Sequence, residues 1–208
     1  MILREGKHSY RPSEGHRLAH DPFNAIVAPR PIGWIGTRSA DGIANLAPYS
    51  FFNALAYRPP TVGFSSEGRK DTLANVEATG VFTWNLATRR LAERMNATSA
   101  VVPAHVDEIE LAGIAAIEGQ IVAAPLVLES PATFECRVSD IIRLRTADGA
   151  SMNNWLVVGE VVAIHLDERM IVDGVYQTAA ARPITRGGGP ADYFEITEDA
   201  KFQMRRPV

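Results

Sequence analysis

Two segments bring together residue types that could hold a ligand. The first is SSEGRKDT (65–72), where Ser65, Ser66, Arg69, Lys70, Asp71 and Thr72 lie between the end of an apolar run and the start of a helical pattern. Hydroxyls and cations at such a junction are phosphate-binding chemistry. The first N–H groups of a helix have no partner within it and carry partial positive charge, so an anion placed there gains hydrogen bonds, and Lys70 and Arg69 add formal charge. The same residues also describe an ordinary capped helix with solvated cations. The second segment is NLAPYSFFN (45–53), a strand running into an irregular aromatic turn. A flat aromatic ring needs apolar walls and main-chain N–H groups for its polar edge, and Ala47 to Phe52 offer small residues, Pro48 and free amides at a strand edge. The competing reading is a core turn in which Tyr49, Phe51 and Phe52 fill space.

Most other catalytic engines are missing from the sequence. No GxGxxG follows a strand, and GxxxxGK[ST], HExxH and GxSxG do not occur. A dinucleotide or P-loop fold is therefore excluded as the basis of function. The single cysteine, Cys136, sits in the alternating stretch FECRV and reads as a small buried strand residue. It rules out an internal disulfide and a thiolate-rich metal site. His16 and His20 are four residues apart but have no acidic or thiol partner at ligand spacing, His105 falls in a polar loop, and His165 closes a strand as a structural residue.

The elements that must carry the two segments are mostly strands. Residues 1–22 are polar and aperiodic and read as an arm, solvated or crossing to a second subunit; residues 23–208 form one domain. PIGWIGT (31–37) and IANLA (43–47) pair through a tight turn at Asp41-Gly42. TVGFSS (61–66) starts after Pro59-Pro60, because proline donates nothing to a ladder. Asp71 caps a helix over 72–80, with Leu73 and Val76 on one face and Gly80 as its stop. VFTWNL (81–86) returns to strand, and 89–96 is helical with Leu91 and Met95 inward. Residues 98–118 read as a loop, a candidate lid, with a short helix around Asp107 to Leu111. PATFECRVSDIIRLRT (131–146) and WLVVGEVVAIHL (155–166) make a long hairpin of the kind that closes barrels. The Gly-rich RGGGPADYFEI (186–196) must dock to bury its aromatics.

The whole chain narrows the partners. With 21 Lys plus Arg against 24 Asp plus Glu, the net charge of −3 gives no electrostatic case for nucleic acid or an anionic membrane. No run approaches the ~20 apolar residues of a membrane span, and MILREGKHSY lacks the apolar core of a signal peptide. A cytoplasmic location is expected.

Taken in order, PRPIGWIGT (29–37), NLAPYSFFN (45–53), RPPTVGFSS (58–66), RKDTLANV (69–76), FTWNL (82–86), FECRV (134–138) and WLVVGEVVAI (155–164) resemble the flavin reductase-like family of FMN-binding split-barrel proteins. The resemblance covers residues 23–196. It implies a mainly β fold with a few helices, a split β-barrel of Greek-key type, and a homodimer with one flavin per subunit near the interface. The implied cofactor is FMN, with FAD as an alternative, and NADH or NADPH is the co-substrate. The implied reaction moves a hydride from NAD(P)H to flavin N5 and passes electrons to free flavin, oxygen or another acceptor. No catalytic side chain is required. By the same resemblance the ring falls on Ala47, Pro48, Tyr49, Ser50 and Phe51, and the phosphate on Ser65, Ser66, Lys70 and Thr72. Thr37, Asn45 and Asp71 complete that set, while Arg186 and Tyr193 fold back toward the flavin from the Gly-rich tail. Many family members carry a histidine just before the strand matching WLVVGEVV, where this sequence has Asn153 and Asn154. Asparagine does not titrate near neutrality, which leaves open a second reading: an electron shuttle reduced by a protein partner. A haem-binding barrel would need a histidine in an apolar pocket, which the sequence does not offer.

Overall fold

The computed structural model describes residues 6–207; residues 1–5 of the arm and the last residue lie outside it. Seven strands build the central sheet: β1 (Gly33–Arg38), β2 (Ala44–Tyr49), β3 (Phe52–Tyr57), β4 (Pro60–Glu67), β5 (Val81–Asn85), β6 (Ala132–Arg145) and β7 (Ser151–Leu166). All pairs are antiparallel, in the order β2-β1-β5-β6-β7-β4-β3. The non-sequential neighbours β1·β5 and β4·β7 make the path Greek-key in type.

Closure follows from connectivity. β2 and β3 stand at opposite edges of the hydrogen-bonded order, yet only Ser50 and Phe51 separate them in the chain. The sheet must therefore curl until its edges meet, which is what a barrel requires. At the junction Ser65 N–H donates to the Phe51 carbonyl at 2.8 Å, and the Tyr49 and Phe64 rings pack 4.7 Å apart.

Both faces of the sheet are covered near the junction. Ile35, Tyr49, Phe52, Phe64, Phe82, Trp84 and Val157 fill the interior, and Leu73 and Val76 of helix α1 (Asp71–Thr79) plug it. Outside, Trp34 and Leu46 bury against Leu91, against Met95 of helix α2 (Ala92–Ala97) and against Ile109 of helix α3 (Glu108–Leu111). The buried indoles keep their polar edges satisfied, Trp34 Nε1 on Thr98 Oγ1 at 3.0 Å and Trp84 Nε1 on the Ile32 carbonyl at 2.9 Å.

The expected strands and turns form, with several differences. The β1–β2 and β6–β7 turns place Gly42 and Gly149 at φ 88° and 89°. β4 begins at Pro60 rather than after it, because Pro60 faces only Tyr57 and no ladder bond with β7 is asked of it. The chain re-enters a strand at Phe52 instead of remaining an irregular turn. Lys70, with φ −85° and ψ 171°, occupies the N-cap position expected for Asp71, which falls inside the first turn; Gly80 at φ 70° ends the helix as expected. The 89–96 helix opens as a 3-10 turn over Arg89–Leu91. The Gly-rich tail docks as a hairpin, Ile184–Arg186 with Tyr193–Glu195, beside the short strand Arg30–Pro31. Among the described residues, no helix is long and apolar enough to cross a membrane.

Candidate functional site

A cleft of about 500 Å³ opens at the barrel junction. One wall is the end of β2 and its turn: Asn45, Ala47, Pro48, Tyr49, Ser50 and Phe51. The floor is Ser65 and Glu67 of β4, followed by Lys70, Asp71 and Thr72 at the start of α1. Residues 98–102 and Glu108 complete the lining. The two segments singled out in the sequence thus face one another across a single cavity.

A buried polar network fixes how they meet. Asn45 Nδ2 donates to Thr37 Oγ1 at 3.2 Å and to Thr72 Oγ1 at 2.9 Å, and Asn75 Nδ2 donates to Thr37 Oγ1 at 3.0 Å. These bonds pin the first turns of α1 onto β1 and β2, with Leu73 and Val76 buried alongside. The Tyr49 hydroxyl lies within hydrogen-bonding reach of Thr72 and Ser66, and burial raises its pKa above the usual phenol value despite those bonds. The Tyr49 ring packs into the barrel interior.

The network also sorts the candidates. Asn45, Ala47, Pro48, Tyr49, Ser50, Phe51, Ser65, Lys70, Asp71 and Thr72 line the cleft. Thr37 and Ser66 do not: both are fully buried, and Ser66 Oγ donates to the Gly68 carbonyl at 3.1 Å. Ser66 is thus no cleft residue, because alternation along β4 turns it inward while Ser65 faces out. Arg69 is diverted into an ion pair with Glu77 of α1 and does not line the cleft. Arg186 and Tyr193 lie in the 184–195 hairpin, where the guanidinium sits 5.0 Å over the phenol ring and bonds the Asp192, Gly189 and Pro190 carbonyls. Neither lines this cleft. Asn153 and Asn154 fall within β7 rather than before it: the Asn153 carbonyl accepts from Gly68 N–H at 2.8 Å, and Asn154 pairs opposite Glu67.

Two residues escaped the sequence reading. Arg30 is buried and donates to the carbonyls of Ser50 (3.1 Å), Gly187 (3.1 Å), Asn24 (2.5 Å) and Val27, with Phe51 5.6 Å beneath its guanidinium. It ties the cleft's turn to the docked tail; burial, aided by nearby Arg186, lowers its pKa. Nothing local in PRP marks a buried arginine. Residues 98–102, part of the stretch read as a loop and candidate lid, also line the cleft. Glu108 is buried at the cleft's inner edge, and desolvation raises its pKa above the usual carboxylate range. Its segment, DEIEL, shows only a helix start.

The donor set suits a phosphorylated ring compound. No side chain caps the first turn of α1, so its N–H groups are open, and Lys70 is the cation lining the cleft, against Glu67, Asp71 and Glu108. The other wall is small and apolar at Ala47 and Pro48, with β2 at a sheet edge. Elsewhere, buried Cys136 has its thiol pKa raised by desolvation, and no cluster of metal-ligating residues occurs among the described residues.

Comparison with known proteins points the same way. The family model described as flavin reductase like domain matches residues 27–185. An uncharacterized Halalkalibacterium halodurans protein is 33% identical over 188 residues, covering 88% of each chain. Component B of nitrilotriacetate monooxygenase from Bacillus cereus is 28% identical with a TM-score of 0.86, covering 97% of this chain and 100% of its own. A split barrel protein of Shewanella frigidimarina superposes with a TM-score of 0.76 at 24% identity, covering 89% of each chain, which establishes the split-barrel fold.

Proposed function

Since the chain belongs to the flavin reductase-like domain family, we propose that its junction cleft binds FMN and that the protein is a flavin-dependent oxidoreductase. It takes a hydride from NADH or NADPH and passes electrons to free flavin, oxygen or another acceptor. The observation that carries this reading is the cavity in which an uncapped helix start with Lys70 faces a small, apolar strand edge across about 500 Å³, within the range of about 300–1,000 Å³ for small-molecule sites.

When bound, FMN supplies hydride and electron transfer at its ring. The chain's own part is binding, orientation and exclusion. Lys70, Ser65 Oγ and the first N–H groups of α1 hold the phosphate. Main-chain groups between Ala47 and Phe51 meet the polar edge of the ring, and Pro48 and Ala47 supply an apolar wall. The Thr98–Val102 segment, which lines the same cleft, restricts access to it. Arg30 holds the Ser50–Phe51 turn in the geometry this needs. A homodimer fits the same reading, since Leu55 and Tyr57 on edge strand β3 and Phe23 and Ile26 near the arm are exposed. The cytoplasm, where the pyridine nucleotide pool lies, is the expected setting.

The test is to load the purified protein with FMN and add NADH or NADPH anaerobically while recording the visible spectrum. Bleaching by either nucleotide supports the reductase reading. Bound flavin that neither nucleotide bleaches, but that a reduced redox protein bleaches rapidly, favours the electron shuttle instead. That second reading draws on Asn153 and Asn154, which put no titratable ring beside the cleft floor.

A further inference from the structure

Within the cleft one group has an unmet bonding need. Glu108 is 6% exposed, and its Oε2 is buried without a hydrogen-bond partner. The carboxyl also reaches its own N–H and the Leu46 N–H on the outer edge of β2. A buried carboxylate kept only for structure would have both oxygens bonded, because leaving one unpaired costs free energy without return. Its position is between the two halves of the site. Leu46 belongs to the strand that walls the ring, and Asp71, close enough to act on the Glu108 charge, belongs to the helix start that takes the phosphate.

Resting on the FMN reading, we infer that Glu108 grips the polyol chain joining ring to phosphate, its carboxyl turning on binding so that the unpartnered oxygen accepts from a hydroxyl of that chain. Burial first, and the charges of Asp71 and Asp107 further, raise the pKa of this carboxyl against the two N–H groups that lower it. A carboxyl oxygen accepts a hydrogen bond, which a hydroxyl of the polyol can donate. Glu108 is thus a positioning residue that sets the span between ring and phosphate.

The experiment titrates FMN, riboflavin and lumiflavin, which is the ring without the polyol, into full-length wild type, Glu108→Met and Glu108→Gln, reading flavin fluorescence, with thermal unfolding alongside. Glu108→Met is expected to weaken FMN and riboflavin alike by about tenfold and to leave lumiflavin unchanged. Glu108→Gln, which still donates and accepts, is expected to retain affinity. Thermal unfolding of the apo variants shows that each is folded before its affinity is read. Unchanged FMN and riboflavin binding in Glu108→Met overturns the inference. So does an equal loss on all three ligands, which would mark a ring contact, or a loss on FMN alone, which would mark a phosphate contact. If Glu108→Met fails to fold, Glu108→Ala takes its place under the same criteria. Wild type that binds none of the three ligands overturns the FMN reading itself, a result distinct from any of these.

Discussion

Lys70 and Ser66, four residues apart, have opposite duties. Lys70 is exposed at the cleft, among three carboxylates, with no ion-pair partner among the described residues. Ser66 is fully buried, bonded to the Gly68 carbonyl and near the Tyr49 hydroxyl. Ser66→Ala should therefore cost about 1–2 kcal/mol of stability and leave FMN affinity nearly unchanged, as thermal unfolding and a flavin titration would show together. An affinity loss without a stability loss would contradict its burial. Arg30→Met removes a buried cation from several main-chain carbonyls on both sides of the cleft's turn. We expect about 3 kcal/mol of destabilisation together with weaker FMN binding, with Arg30→Lys a poor substitute because a single ammonium cannot span carbonyls set around a planar fork. The residue types needed for a phosphate and a ring were legible in the sequence, because each segment is local. Which serine of the pair faces the cleft was not: a one-residue change of register along a strand exchanges its faces, and only the pairing of β4 with its neighbours fixes that register.

Among the elements, the β6–β7 hairpin carries a second buried carboxylate, and this one is satisfied. Glu135 is fully buried on β6, accepting from the N–H groups of Gln120 (3.0 Å), Ile121 (2.6 Å) and Val122 (2.7 Å) and meeting His165 Nε2 of β7 at 2.7 Å. Burial opposes its ionisation, but His165 and the three N–H groups outweigh that and lower its pKa. A carboxylate with a depressed folded pKa adds stability that is present above its unfolded value, near 4.5, and is lost as the pH falls through the folded value. Glu135→Gln should therefore unfold at a lower temperature than wild type at neutral pH, with the gap narrowing on acidification below that value. A gap constant with pH would contradict this. The long strands were legible because they alternate over many residues. β3 was not, since Asn53, Ala54 and Ala56 have weak strand preference and the strand exists through its pairing with β4. The 184–195 hairpin escaped for a similar reason, its third strand being Arg30–Pro31, remote in sequence.

At the scale of the whole molecule, the barrel closes because β2 and β3 lie at opposite edges of the sheet yet are joined by Ser50 and Phe51 alone, and the cleft sits at that closure. The ordered set of motifs conveyed the fold as a whole, where no single motif did, because closure depends on the succession of segments. The same closure leaves Leu55 and Tyr57 exposed on β3. Sedimentation is expected to give about twice the 22.6 kDa chain mass, and Leu55→Glu with Tyr57→Glu should shift it to the single-chain value; wild type sedimenting as one chain would contradict the dimer. The claim on which the rest depends is that the helix start at Lys70 holds the phosphate of a flavin whose ring lies on the Ala47–Phe51 wall. Its most direct test is a fluorescence titration of FMN and riboflavin into wild type and the Ser65→Ala, Lys70→Glu double variant. The expected result is saturable binding of one FMN per wild-type chain and a loss of at least about tenfold for FMN in the variant, with riboflavin binding little changed; wild type that leaves FMN fluorescence unaltered, or a variant that binds FMN as tightly as wild type, would contradict it.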